Sequence, residues 1–200
     1  MKNTIRSLVW VDYLIDIITN PRELALKVVN GRNRIYYSTF ILPVLSCGVF
    51  IIISSLLFNQ TGYFYYKISY GWMLLIIFVI AYILVFSAVI DQIFQLKGKS
   101  GNVKRVINII NMSYFPALLI LPLMLLVTSV NFIPVFWFLL LYLIVMIWSV
   151  FISSRGFAEI YGVELASAVL IYLIPHALIS ILNGLIGILL IFLLSGLIGR

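Results

Sequence analysis

Few side chains in this sequence have the chemistry for a reaction or a binding site, and most of them interrupt long uncharged runs. Asp91 and Gln92 stand near one end of such a run. An acid inside a membrane segment is suited to hold a proton or a cation. The plainer reading pairs Asp91 with Lys97, Lys99 or Arg105 close by in sequence. His176, Ser180, Asn183 and Gly187 recur at helical spacing on one face. As chemistry, His176 is a proton carrier or ligand. As packing, the four form the small, polar face that helices use against one another in lipid. Following Pro175, His176 is expected near a helix start, close to the membrane surface. Asn108 and Asn111 read as another packing face close to the inner surface, as do Ser149, Ser153 and Gly156. Glu159 and Glu164, with Arg155, have the residue types for acid–base work but suit a solvated loop better.

These candidates do not assemble into a recognised catalytic set. There is one histidine and one cysteine, Cys47, too few for a metallohydrolase or a thiol enzyme. No GxSxG, HExxH, P-loop or strand-linked GxGxxG motif occurs. The sequence therefore points to no catalytic residues, no metal and no cofactor. The formal net charge of +7 would suggest nucleic acid in a soluble protein. Here the basic residues flank apolar runs, where they set orientation and meet anionic headgroups, so nucleic-acid binding is not expected.

The elements that must carry these residues follow from the hydropathy. The chain is 64% hydrophobic and 10% charged over 200 residues, against about 25% charged in soluble domains. Runs of about 20 apolar residues match a hydrocarbon core about 30 Å thick. The fold class expected is all-α, a polytopic helical bundle. Residues 1–34 form an amphipathic lead, and 35–200 the transmembrane domain. Spans are expected at about 35–58, 70–96, 106–130, 132–154 and 175–198, with Pro116 and Pro122 kinking the third. The last apolar run is too long for one ordinary span. Pro175 is expected to divide it, leaving residues 163–174 as a short helix near the interface; a hairpin at Asn183-Gly184 would instead give six spans. In the lead, Tyr13, Ile17 and Ile18 share a helical face that suits a helix lying in the interface. Asn20-Pro21-Arg22-Glu23 reads as the capped start of a second helix ending at Gly31. The lead does not read as a cleaved signal peptide, because Asp12 and Asp16 interrupt it.

Lysine and arginine placement gives the orientation. Lys2, Arg6, Arg22, Lys27, Arg32 and Arg34 in the lead, Lys97, Lys99, Lys104 and Arg105 after the second span, and Arg155 after the fourth fall on one side. Only Lys67 and Arg200 fall on the other. The N-terminus is expected in the cytoplasm. Tyr63, Tyr65, Tyr66, Tyr70, Trp72 and Trp137 form an outer aromatic belt, with Tyr36 and Tyr37 at the inner boundary.

The order of parts resembles the Yip family of small integral membrane proteins. The resemblance rests on Asn20-Pro21-Arg22-Glu23-Leu24 opening an amphipathic helix before closely spaced spans. Trp148, Arg155-Gly156-Phe157, Tyr161-Gly162-Val163 and Ala166-Ser167-Ala168 complete it. The resemblance implies a non-enzymatic membrane protein. Eukaryotic members bind Rab-type small GTPases in Golgi and ER membranes. Their Asp-Leu-Tyr-Gly-Pro signature is not in this sequence, which places the chain nearer the prokaryotic members, some of which accompany ABC-type exporters.

The expected function is thus a scaffold or accessory protein in a prokaryotic cell membrane. It would meet a membrane-protein partner, such as exporter subunits or a small GTPase, or a second copy of itself. Anionic lipid would meet Arg32, Arg34, Lys97, Lys99, Lys104 and Arg105. The alternative is a small transporter or channel using Asp91, Asn108, Asn111, His176 and Asn183.

Overall fold

The structure is a computed structural model. It describes residues 9–30, 38–58, 72–129 and 134–198, without the side chains of 9–12, 29, 30, 54–56, 58, 72, 128, 129, 134, 183, 184 and 186–198. All described elements are helices: α1 (Val9–Thr19), α2 (Pro21–Asn30), α3 (Ile41–Phe58), α4 (Trp72–Leu96), α5 (Val103–Ser113), α6 (Phe115–Leu118), α7 (Ile120–Ser129), α8 (Pro134–Tyr161) and α9 (Leu165–Ile198). Four stretches among the described residues are long and apolar enough to cross a membrane: Met73–Leu96, Val103–Val127, Val135–Tyr161 and Leu165–Leu182. Ile41–Ile53 of α3 is a shorter apolar stretch.

The lead folds as two helices. The Asn20 side chain accepts from the Glu23 N–H at 3.4 Å, capping α2. Leu24, Ala25 and Val28 are buried where α2 packs on α8, and α1 adds Tyr13 and Ile17 to the same core. The apolar faces that suggested an interfacial position are thus turned onto the protein. An amphipathic stripe serves either surface. Lys27 pairs with Asp16, and Arg22 Nε lies 2.8 Å from Glu159 Oε1. Burial raises the Tyr13 hydroxyl pKa, an effect the Lys27 ammonium opposes and Asp16 reinforces.

Proline decides the third span, though not every apolar run. Pro116 has no N–H to give, and it restricts Phe115. The helix breaks at Tyr114, and the Ala117 N–H turns to the Tyr114 carbonyl at 3.1 Å. That leaves the Ser113 carbonyl without its helical donor. The Ser149 hydroxyl donates to it at 2.7 Å, and the Ser46 hydroxyl donates to the Tyr114 carbonyl at 2.9 Å. Two serines on neighbouring helices thus seal the break, as a low-dielectric surrounding demands. Pro122 falls within the first turn of α7, where its missing N–H is tolerated.

Two expectations about α8 and α9 are corrected. The fourth span does not stop at 154. Helix α8 continues through Arg155 and Glu159 to Tyr161, so these residues lie on a helix and not in a loop. Nor does Pro175 divide the last run: α9 is continuous over 34 residues, with Pro175 inside it. Its length, about 50 Å, exceeds the hydrocarbon core. A proline inside a helix costs about 3 kcal/mol, but unwinding in lipid would strip several backbone groups at several kcal/mol each. The continuous helix is the cheaper outcome. The same continuity through residues 183–184 removes the hairpin of the six-span reading.

The packing is uneven. One core, at the end of the bundle that carries the lysines, joins Phe86, Ile90, Phe94, Ile109 and Phe157 to the lead helices. A smaller core joins Val49, Ile53, Ile120 and Met124 of α3 and α7. By contrast Met73, Leu74 and Ile77 of α4 and Phe136, Leu139, Leu143 and Ile147 of α8 are exposed, the pattern of helices facing lipid. At the larger core α8 crosses α5 closely. A Cβ on Gly156 would lie 2.6 Å from Ile109 Cγ2. Alanine in a helix interior normally gains about 0.5–1 kcal/mol over glycine, whereas overpacking costs about 1–3 kcal/mol. Gly156→Ala is therefore expected to lower the unfolding midpoint of the detergent-purified protein, and Ile109→Ala in the same chain to recover part of the loss. A midpoint that rises in Gly156→Ala would refute this close crossing.

Candidate functional site

The lysine-bearing end of the bundle is built where α4 and α8 finish side by side. Both end in the same way. Gly98 and Gly162 adopt φ of +75° and +59°, the left-handed conformation that glycine takes without a Cβ penalty. The Lys99 N–H returns to the Phe94 carbonyl at 3.1 Å, and the Val163 N–H to the Ala158 carbonyl at 3.2 Å, closing orphan carbonyls as helix-ending glycine motifs do. The Lys99 ammonium donates to the Gly162 carbonyl at 3.3 Å and ties the two ends together.

Asp91 sits at the centre of this end, one of the few buried acids. Its Oδ1 accepts from the Asn102 backbone N–H at 2.7 Å and from the Tyr161 hydroxyl. Its Oδ2 accepts from Gln95 Nε2 at 2.7 Å. The expected pairing with Lys97, Lys99 or Arg105 is not what the structure shows. Neutral donors hold the carboxylate, and the N-terminus of α5 lies next to it. Asn102 caps α5 through Oδ1, which accepts from the Arg105 N–H at 3.3 Å. A helix N-terminus carries about half a positive charge and favours a nearby anion. A Cβ on Gly101 would displace the Gln95 amide from its place against Asp91. The Tyr161 ring stacks on Phe94 at 3.9 Å, and Phe94 meets Phe157 edge-on at 6.1 Å. Asp91 therefore joins α4, the α4–α5 turn and α8. With both oxygens engaged, it works as a clasp.

The other sequence candidates fall into separate groups. Asn111 is fully buried and donates through Nδ2 to Thr39 Oγ1 at 3.0 Å, while Thr39 donates to Asn108 Oδ1 at 3.2 Å. This ties the start of α3 to α5. His176 is not at a helix start near the surface. It lies three turns inside α9, half-buried, with Nδ1 2.8 Å from the Tyr82 hydroxyl and its ring stacked on Tyr172 at 5.8 Å. Ser180 is exposed, so the proposed packing face does not continue through it. The side chains of Asn183 and Trp72, together with Arg32, Arg34, Tyr63, Tyr65, Tyr66 and Tyr70, lie outside the described residues; Trp137 of the outer belt lies in the first turn of α8, half-buried and edge-on to Phe136 at 5.9 Å. Glu159 is engaged by Arg22, and Glu164 is exposed before α9, so the two do not form an acid–base pair. Among the described residues no three His, Cys, Asp or Glu side chains gather as metal ligands.

The basic residues mostly point outward. Lys97 and Lys104 are exposed, Lys99 and Arg105 are partly covered, and Arg155 is half-buried. Sequence reasoning missed Thr39, Ser46, Tyr82, Gln95, Asn102 and the bonding role of Tyr161. A tyrosine or threonine beside a span carries no signal of its partner. Only Gly101, in a Lys-Gly-Lys-Ser-Gly-Asn turn, hinted at a close approach.

Compared with known proteins, the chain matches the family model described as the Yip1 domain over residues 15–188. No curated protein and no solved structure matches it. Several residues that carried the resemblance are those that build this end: Gly156 against α5, Phe157 in the core, Tyr161 on Asp91 and Gly162 in the turn.

Removing an acceptor from buried donors costs about 1–3 kcal/mol, more for a charged group. Asp91→Ala is expected to destabilise the protein by about 2–4 kcal/mol, and Tyr161→Phe by about half that. Both variants should become more sensitive to trypsin at Lys97 and Lys99, since the clasp holds their turn. Wild-type cleavage rates in both would show that Asp91 does not fasten this turn.

Proposed function

Because this chain belongs to the Yip family of non-enzymatic membrane proteins, we propose that it is a membrane scaffold or accessory protein that works through the basic end of its bundle. One observation carries the reading. The buried acid of this end is held by neutral donors and does not consume a neighbouring lysine or arginine. Among the described residues Lys97 and Lys104 pair with no side chain. Each lysine or arginine at a membrane surface contributes about 1 kcal/mol toward anionic lipid. Lys97, Lys99, Lys104 and Arg105 together therefore suffice for a preference of a few kcal/mol, with Arg32 and Arg34 extending the same charge in sequence. The well-packed helix ends beneath them give a partner a fixed surface rather than a loose loop.

The reading places the protein in a prokaryotic cell membrane with its N-terminus and basic end in the cytoplasm, next to a membrane-protein partner. Exporter subunits, a small GTPase or a second copy of the chain fit that role. The alternative, a transporter working through Asp91, Asn108, Asn111, His176 and Asn183, has less support. The first four belong to three separate hydrogen-bonded groups, and the Asp91 oxygens are already occupied.

The test is purification from the native membrane in mild detergent, with proteins and lipids that accompany the chain identified by mass spectrometry. The wild type is expected to carry a stoichiometric partner and excess anionic lipid. Changing Lys97, Lys104 and Arg105 together to Gln should remove most of both while leaving the unfolding free energy within about 1 kcal/mol of wild type. Retention of partner and lipid by the Gln variant would rule out this surface.

A further inference from the structure

Between α3, the α5–α6 break, α8 and α9 the packing leaves a pocket of about 220 Å³. Phe50, Tyr114, Tyr142, Ser149, Tyr172 and His176 are on its wall, and none of its lining residues is Lys, Arg, Asp or Glu. His176 is eleven residues into α9, about 16 Å along the helix, about half the thickness of a hydrocarbon core. The wall is incomplete on one flank, where Tyr142 and Leu173 are 38% and 40% exposed between α8 and α9.

Three hydrogen-bonding groups on this wall have no protein partner among the described residues. Nδ1 of His176 is committed to the Tyr82 hydroxyl, which leaves Nε2. The hydroxyls of Tyr114 and Tyr142 line the same pocket and make no hydrogen bond in the structure. Polar groups in a low-dielectric region normally find partners. A purely apolar cavity of about 150 Å³ lined by Leu, Ile and Phe stays dry and takes benzene. This pocket is larger and adds a set of unpaired polar atoms to its aromatic faces.

We propose that this pocket binds a neutral, ring-bearing molecule dissolved in the membrane, with a hydrogen-bonding oxygen on the ring: the phenol and quinone class. The faces of Phe50, Tyr142 and Tyr172 pack the ring. His176 Nε2 and the tyrosine hydroxyls meet its oxygen. Either imidazole tautomer serves, because Nε2 donates when Nδ1 accepts from Tyr82 and accepts when Nδ1 donates. An uncharged wall excludes ionic ligands at this depth, and the open flank admits the ligand from the lipid. The inference does not depend on the scaffold role.

The test titrates the full-length protein, in nanodiscs of uncharged phosphatidylcholine, with the short-chain quinone ubiquinone-1. Tryptophan fluorescence is the readout, since Trp148 adjoins Ser149 in the chain. Saturable quenching above that of peptide-free discs doped with free tryptophan analogue is expected. His176→Phe and Tyr142→Phe keep the rings and should each weaken binding by about three- to ten-fold, the size of one lost hydrogen bond. Tyr114→Phe replaces His176→Phe if that variant does not fold. 4-Methylphenol should compete better than toluene. Linear quenching in the wild type, or unchanged affinity in the folded variants, overturns the site. Equal competition by toluene overturns the role assigned to the ring oxygen.

Discussion

A bilayer offers no water to an unpaired N–H or C=O, and the structure is organised around that requirement. It decides where the backbone is allowed to leave the helix. At Pro116 the helix does break, because Ser46 and Ser149 reach across from α3 and α8 to the freed carbonyls. At Pro175 one missing donor is accepted and α9 runs on. At the basic end, two helices stop only where Gly98 and Gly162 let the chain fold back on its own last carbonyls. Each interruption comes with the hydrogen bonds that make it tolerable.

The same requirement explains where the polar side chains went. Several of them gather in small groups that each fasten helices together: Asp91 with Tyr161, Gln95 and the Asn102 backbone; Thr39 with Asn108 and Asn111; Tyr82 with His176. A polar group buried in apolar surroundings is costly unless paired, so these contacts specify which helix meets which. Apolar packing in lipid does so only weakly, because the lipid tails are as apolar as leucine. Among the described residues, the bundle is firmly packed at the end carrying the lysines, and α4 and α8 expose apolar faces away from it.

This division leaves the basic end as the firmly packed surface on which the proposed role rests. A buried acid neutralised by a nearby lysine would have spent that charge on stability. Asp91 instead takes neutral donors and a helix N-terminus, and Lys97 and Lys104 remain exposed. The stretch from Gly156 to Gly162, which carried the resemblance and lies within the matched residues 15–188, builds this end.

By itself the sequence determined the helical membrane class, since its long uncharged runs can be satisfied only in lipid. It also determined the positions of α2, α4 and the broken third span, through the Asn20 cap, the run ending before Lys97, and Pro116. The Yip resemblance was legible in residues of ordinary type at particular spacings. Tertiary structure decided the rest. It placed Arg155 and Glu159 on a helix, because α8 gains a packed face against α2 and α5 that no local pattern records. It carried α9 past Pro175, because the cost of a missing hydrogen bond depends on what surrounds the helix. It gave Asp91 to Tyr161, 70 positions away, because a buried carboxylate takes the donors that the packing brings within reach, and sequence proximity to lysine does not measure that reach.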